Sequence, residues 1–328
     1  MLRIYKSQNN RLALADTLAG ETPPQPVIWF DLFDPTAEET RLVESHLGIE
    51  IPTSDEMREI ELSDRLYQED GAQFMTMTAA IALDSDTPEK IPVTFILKET
   101  TLVTVRHADL KPFRIYAARI QKPNGAPCET GELAMLGLIE AMIDRTADAL
   151  ERAGNEVDAI SREVFRKKNG SATKKTRDLQ SLIEQIGLKG DLLTTVQESL
   201  VSIGRLVAYH SAVEGSGRKT GKESRQRAKL IQRDATSLGE HGLFLSNKIT
   251  FLLDATLGLI NLEQNQIIKI FSVAAVVFLP PTLVASIYGM NFEFMPELGW
   301  HLGYPYALGM MVLSALLPFL YFKRRGWL

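Results

Sequence analysis

Two stretches of this chain, residues 270–290 and 304–322, contain no Asp, Glu, Lys, Arg or His over 21 and 19 residues. A bilayer is crossed by about 20 apolar residues at ~1.5 Å of rise each, and only a helix satisfies its own backbone there. Two charge-free runs of that length at one end of the chain fit a pair of transmembrane helices better than buried core helices. Composition conceals this, because 328 residues with 45% hydrophobic and 23% charged content describe an ordinary globular protein large enough for two domains. Before residue 267 the chain is charged and divides into amphipathic segments.

Positive residues set the orientation, since short translocated loops lack Lys and Arg. The C-terminal "YFKRRGWL" places Lys323, Arg324 and Arg325 directly after the second run, with Trp327 as an interfacial anchor. The loop between the runs, residues 291–303, holds Glu293 and Glu297 and no Lys or Arg, so it is expected outside, with both termini in the cytoplasm. The N-terminal "MLRIYKSQNN" has no apolar core of a signal peptide. The single cysteine, Cys128, permits no intrachain disulfide and fits a reducing compartment. A net charge of −5 without a large Lys/Arg block excludes a nucleic-acid-binding face.

The first part reads as α/β. Strand candidates at 27–33, 72–83, 91–99 and 101–107 are rich in β-branched and aromatic residues, punctuated by Asp70-Gly71 and a tight turn at Glu99-Thr100. Helices lie between the first two: one from an Asp34 cap with Pro35 at its first position to Gly48, another at 53–60 with Thr53 and Glu56 in capping-box spacing. From about Glu129 the apolar period becomes helical, through Leu133, Leu136, Ile139, Ile143, Leu150, Val157, Ile160 and Val164. A second long helix is expected over 174–211 and a third from about Glu223. The segment "GSGRKTGK" between them is one residue too long for a phosphate-binding loop, has Glu223 where Ser or Thr would hold magnesium, and reads as a linker. The expected domains are residues 1–128 (α/β), 129–266 (helical stalk) and 267–328. The last comprises spans at about 267–290 and 304–322, an external loop at 291–303 and a cytoplasmic tail at 323–328.

The third helix is the most informative segment. Nothing between Leu243 and Val277 breaks it, which gives a rod on the order of 50 Å long. Alternate steps of four and three from Asp254 reach Gly258, Asn261, Asn265, Ile268, Ser272, Ala275, Leu279, Thr282 and Ser286. That stripe is too polar and small for a lipid-facing surface, and its 3.5-residue period implies a left-handed supercoil of equivalent helices. Close helix packing accounts for Ser272 or Ala275 singly. It accounts poorly for Asp254, Asn261 and Asn265, which suit a ring of copies around a water-filled path. Two spans cannot enclose such a path, so oligomerisation follows from geometry. Pro280 and Pro281 free carbonyls at Val276 and Val277, a cost met by packing, by a wet cavity or in a simple kink.

"SIYGMNFEFMPEL" is similar to the signature of the CorA family of magnesium transporters, whose Gly-Met-Asn tripeptide ends the first membrane helix and stands here as Gly289, Met290 and Asn291. "INLEQNQIIKIFSVAAVVFLPPTLVAS" before it, and "GYP" and "YFKRRGWL" after it, also resemble the family, as does the order of α/β domain, long helices and terminal hairpin. The resemblance implies a funnel-shaped homopentamer in the cell inner membrane, carrying Mg2+, often Co2+ and Ni2+, around a ring of first spans. It implies a selectivity filter at Gly289, Met290 and Asn291. Pore positions fall on Asn265, Leu279 (an apolar constriction) and Thr282, on the stripe that also holds Asn261, Ser272 and Ser286. The family's acidic intersubunit metal sensor falls on Asp254, with Glu56 as its partner and Asp55 adjacent.

An asparagine entrance suits Mg2+, which gives up its waters reluctantly: amide oxygens hydrogen-bond the hydrated ion without trapping it. Glu293 and Glu297 would concentrate cations outside, or are solvated loop carboxylates. Asp254 and its partner would draw together around Mg2+ and repel without it, which makes Mg2+ a regulatory ligand as well as the substrate. Asp254 is otherwise an ordinary exposed carboxylate. The alternatives are a zinc transporter of the same superfamily, disfavoured by Met290 and "MPEL", and a membrane-tethered cytosolic binding module. An enzyme is disfavoured by five scattered His, one Cys and the lack of HExxH or CxxC ligand sets.

Overall fold

The computed structural model describes residues 1–8, 11–15, 27–122, 128–166, 172–215, 221–291 and 295–327. Contacts divide the chain into two compact units, Met1–Glu163 with Glu184–Leu252, and Val164–Ile183 with Leu253–Leu328.

The first unit is built on a seven-stranded sheet. Its strands are β1 (Leu2–Gln8), β2 (Arg11–Ala15), β3 (Val27–Phe33), β4 (Leu66–Glu69), β5 (Ala72–Ile81), β6 (Glu89–Lys98) and β7 (Thr101–Arg106), in the order β2-β1-β3-β7-β6-β5-β4. Every pairing is antiparallel except that of β3 with β7, which brings Asp31 level with Thr104 at the centre of the sheet. Strand β3 is buried along nearly its whole length, as a central strand covered on both faces must be. On one face Phe30, Leu32, Val103, Val105, Phe74 and Ile96 pack with Val43 of α1 (Ala37–Leu47) and with Met57. On the other, Trp29 and Phe95 meet Phe113 of α3 (Lys111–Ile120).

Three of the four expected strands end within two residues of expectation, and β3 coincides. Strands β1, β2 and β4 are additions, as are α3 and the four-residue α2 (Leu62–Arg65). The first helix departs in register. Asp34 takes a left-handed φ of 43° and donates its N–H to the Arg106 carbonyl at 2.8 Å, so the cap moves from Asp34 to Thr36. Thr36 and Glu39 then form a reciprocal capping box, and Glu39 also accepts from the N-terminal amine and from Leu2 N–H. Thr36→Ala leaves first-turn donors unsatisfied, and chemical denaturation is expected to show a loss of about 1 kcal/mol. The expected helix at 53–60 is only a 3-10 turn, Glu56–Arg58. Met57 is its one buried residue and Ile60 is 91% exposed, so no apolar stripe remains to propagate it.

Three long helices follow: α4 (Gly131–Val164), α5 (Ala172–Gly215) and α6 (Lys222–Tyr288). Residues 216–220 of the linker lie outside the described residues. Glycine decides how α4 meets the sheet. A Cβ on Gly131 would stand 2.3 Å from Leu102 N, and one on Gly137 would stand 2.4 Å from the Tyr116 ring. Beyond Met75, where β4 has ended, Thr78 and Ala80 N–H groups donate to Ser202 and Ser199 hydroxyls of α5 at 2.8 and 3.3 Å, which covers an otherwise open edge. His210 of α5 is buried between Gln73 Oε1 (3.0 Å) and Glu132 Oε1 (3.3 Å) and is thus a packing residue. Arg227 of α6 forks onto Glu140 of α4, and Gln197 of α5 donates to Ser246 of α6 at 3.1 Å.

Candidate functional site: the exposed edge of α6 and its C-terminal turn

Helix α6 runs unbroken for 67 residues, about 100 Å at ~1.5 Å per residue. It continues through Pro280 and Pro281 and ends at Tyr288, two residues before the expected end of the first span at about 290. The Thr282 hydroxyl donates back to the Phe278 carbonyl at 2.8 Å, directly after the two carbonyls, Val276 and Val277, that the prolines leave without N–H donors.

All ten stripe residues, Asp254, Gly258, Asn261, Asn265, Ile268, Ser272, Ala275, Leu279, Thr282 and Ser286, are exposed in the single chain. Leu279 is 72% exposed, as an isolated apolar side chain that needs a neighbour would be. From Asp254 to Met290 only Thr256 and Val273 are buried, and off-stripe Leu262, Phe271, Phe278 and Leu283 are as exposed as the stripe, so it is the polar and small composition of the edge that sets it apart. The structure therefore carries the predicted pore positions along one exposed edge of α6 among the described residues.

At the end of α6, Gly289 N–H returns to the Ala285 carbonyl at 3.0 Å and Met290 N–H to the Ile287 carbonyl at 3.3 Å. A Cβ on Gly289 would itself stand 3.0 Å from the Ala285 oxygen, so the turn that presents Asn291 favours a residue without one. Asn291 is exposed, and its side-chain amide has no hydrogen-bond partner among the described residues. Glu297 is exposed on a 3-10 turn, Pro296–Gly299; Glu293 lies outside the described residues. Gly303, which the sequence reading did not single out, is buried where a Cβ would stand 2.3 Å from the Glu297 carbonyl, and so closes this loop onto α7 (Gly303–Arg324). Its signal was the Gly directly before "YP".

The acidic candidates belong to different units, and each has its own surroundings. Glu56 spends its carboxylate locally, accepting from Thr53 N–H (2.7 Å) and the Thr53 hydroxyl (2.8 Å); the backbone bond first, then the hydroxyl, holds its pKa below the usual carboxylate value. Asp55 lies 3.7 Å from Arg58. Asp254 is exposed and belongs to the second unit. No group of three His, Cys, Asp or Glu able to hold a metal occurs among the described residues.

The two apolar helices, α7 and the end of α6, have the length and composition of membrane spans, and only 6% of the most apolar window of each is buried. That separates them from core helices, which would be mostly covered. Lys269 Nζ lies 5.8 Å from the Trp327 ring, so the beginning of one span meets the end of the other in an antiparallel hairpin.

The family model described as "CorA-like Mg2+ transporter protein" matches residues 24–324. The magnesium transport protein CorA of Escherichia coli (strain K12) is 37% identical over 329 residues, covering 100% of both chains. That of Yersinia pseudotuberculosis is 37% identical over 335 residues, again 100% of both. Among solved structures, the CorA magnesium transporter from Methanocaldococcus jannaschii superimposes with a TM-score of 0.76 at 18% identity, covering 100% of this chain and 99% of that one. Full-length CmaX gives 0.71 at 13% identity, covering 100% and 98%. The ZntB cytoplasmic domain from Vibrio parahaemolyticus gives 0.55 at 11% identity, covering 80% and 97%. These structural likenesses concern the fold.

Proposed function

The chain belongs to the CorA-like Mg2+ transporter family and is a magnesium transporter, not an enzyme; from that premise we propose that copies of α6 surround a shared aqueous axis with the Asp254–Ser286 edge turned inward. The observation that carries this reading is the run of polar and small residues along one exposed edge of an unbroken helix, leading to Asn291, whose amide has no partner among the described residues. A closed ring of identical helices suits the 3.5-residue period, and five copies accord with the family resemblance. Asn291 amides at the mouth, with Gly289 and Met290 shaping the turn, accept the hydrated ion. Asn265, Asn261, Ser272, Thr282 and Ser286 offer further oxygens, and Leu279 forms an apolar constriction that dewets when the ring tightens. Co2+ and Ni2+, with similar hydrated size, belong to the same path. Glu293 and Glu297 raise the local cation concentration at the mouth. The protein sits in the inner membrane with both termini in the cytoplasm, as the Lys/Arg asymmetry requires.

Mg2+ is in this proposal also the regulatory ligand. Asp254 of one copy and Glu56 of the next, with Asp55 beside it, share the ion between subunits; the Thr53 bonds keep Glu56 anionic and both fall on Oε2, which leaves Oε1 for the ion. Internal Mg2+ neutralises the acidic contact and closes the ring, and its loss leaves like charges in proximity that loosen it. Flux into liposomes holding the purified protein, with and without Mg2+ inside, tests transport and feedback together. Influx into Mg2+-free vesicles that slows when Mg2+ is loaded is the expected result; equal rates would remove the feedback. Asp254→Ala is expected to retain uptake and lose most of that inhibition, while unchanged inhibition would exclude Asp254 as the sensor.

A further inference from the structure

The end of α7 is held by a specific stop. Gly326 adopts φ 69°, its N–H donates to the Lys323 carbonyl at 3.2 Å, and Trp327 N–H donates to the Phe322 carbonyl at 3.1 Å. This is the paired 5→2 and 6→1 bonding of a Schellman motif, and the apolar contact that accompanies it is the Trp327 ring stacked on Phe322 at 5.2 Å. The motif turns the tail back, and Lys269, from the beginning of the first span, lies over the same Trp327 ring. Arg325 lies 5.6 Å from the Tyr321 ring. Four cations, Lys269, Lys323, Arg324 and Arg325, thus stand at one end of the hairpin among aromatic plates. All four are exposed, and none has a carboxylate partner among the described residues. From residue 264 to 327 the only side-chain carboxylates are Glu293 and Glu297, both in the loop between the spans.

Positive flanks alone would require neither a fixed tail nor a contribution from the other span. We propose that this cluster is a built site for the phosphate of an anionic phospholipid, with the headgroup bridging Lys269 of α6 to Lys323–Arg325 of α7. Charge complementarity selects an anionic over a zwitterionic lipid, each basic residue near the surface strengthening attachment about fivefold. The aromatic rings sit at headgroup depth, where amphipathic rings are favoured. Because the headgroup joins the two spans of one chain, it stiffens the hairpin to which the pore-lining edge belongs. The inference rests on the membrane reading of α6 and α7 and not on the route of the ion.

The test is lipid binding by the full-length detergent-solubilised protein, read by native mass spectrometry and by thermal stability, which a failure of transport would not affect. Phosphatidylglycerol, phosphatidylcholine and inorganic phosphate are compared. Phosphatidylglycerol is expected to bind and to raise the melting temperature while the other two do neither. Lys269→Gln with Arg325→Gln should weaken its binding about 25-fold. Gly326→Ala keeps all four charges but strains the turn that seats Trp327, and should weaken binding in the same direction. Equal stabilisation by phosphatidylcholine, full reproduction of the effect by inorganic phosphate, or undiminished binding in the Lys269/Arg325 double variant would overturn the site. Undiminished binding by Gly326→Ala would overturn its dependence on the built turn.

Discussion

Asn291→Ala is expected to bring Mg2+ influx down to that of protein-free vesicles while the variant still inserts in the membrane and migrates at the size of the unmodified assembly. In the proposed filter a Mg2+ ion would meet the mouth with its inner water shell intact, because it sheds those waters slowly. Only hydrogen-bond acceptors placed around the axis can replace the outer hydration it loses there, and Asn291 is the first exposed amide after the end of α6. Alanine leaves an apolar ring and no such compensation. Asn291→Asp is the informative contrast: it restores acceptors but adds one negative charge per copy, so it should bind the ion and pass it slowly, with flux well below the unmodified rate. Retained influx in Asn291→Ala, measured by a Mg2+-sensitive dye inside the vesicles, would remove Asn291 from the filter.

Asp31→Ala should destabilise the sheet unit by about 3–5 kcal/mol, the usual result of orphaning a buried charge. Asp31 and Arg106 are 1% and 0% exposed, joined by two parallel bonds of 3.0 and 2.9 Å from Nε and Nη2 to the two carboxylate oxygens. Thr104 donates to the same carboxylate at 3.0 Å and accepts from Trp29 Nε1 at 2.9 Å, so the network spans β3 and β7. The guanidinium is further sandwiched between the Phe33 and Phe113 rings at 4.5 and 4.9 Å. Alanine at position 31 leaves that cation buried with the Ala108 carbonyl as acceptor and the partly exposed Asp109 carboxylate, 3.9 Å away, as its remaining ion-pair partner. Replacing both partners with apolar residues, Asp31→Leu with Arg106→Met, should recover most of the loss, because the desolvation penalty disappears with the charge. Thermal unfolding of the three proteins distinguishes these cases. A double variant as unstable as the single one would show that the pair, rather than its desolvation balance, holds β3 against β7.

Much of the candidate site could be read from residue order. Its stripe is a periodicity on a single helix, and helix geometry alone places Asp254, Asn265, Leu279 and Thr282 on one edge once the helix is unbroken. The linkage of Gly289, Met290 and Asn291 to the end of that helix likewise needs no tertiary information. Residues whose meaning depends on distant partners were not readable. Asp31 and Arg106 stand 75 positions apart in two strand candidates, and only the parallel pairing of β3 and β7 joins them. Lys269 is similar: its role depends on a turn at Gly326 that brings Trp327 back to it. The first helix cap moved from Asp34 to Thr36 because the bond to the Arg106 carbonyl accompanies a left-handed Asp34, while Thr36 has the extended backbone that lets a side chain cap the first turn.

Local regularities, then, were determined by the sequence: the two spans, the long helices, the central strands and the polar edge of α6. Each depends on interactions within a few residues or on a burial pattern repeated along one element. Tertiary structure alone decided the short outer strands, the buried Asp31–Arg106 pair, the close approaches at Gly131, Gly137 and Gly303, and the cationic cluster at the hairpin end. Those features arise where groups far apart in the chain compete for the same hydrogen bonds, charges and space, and that competition is settled only when the elements pack.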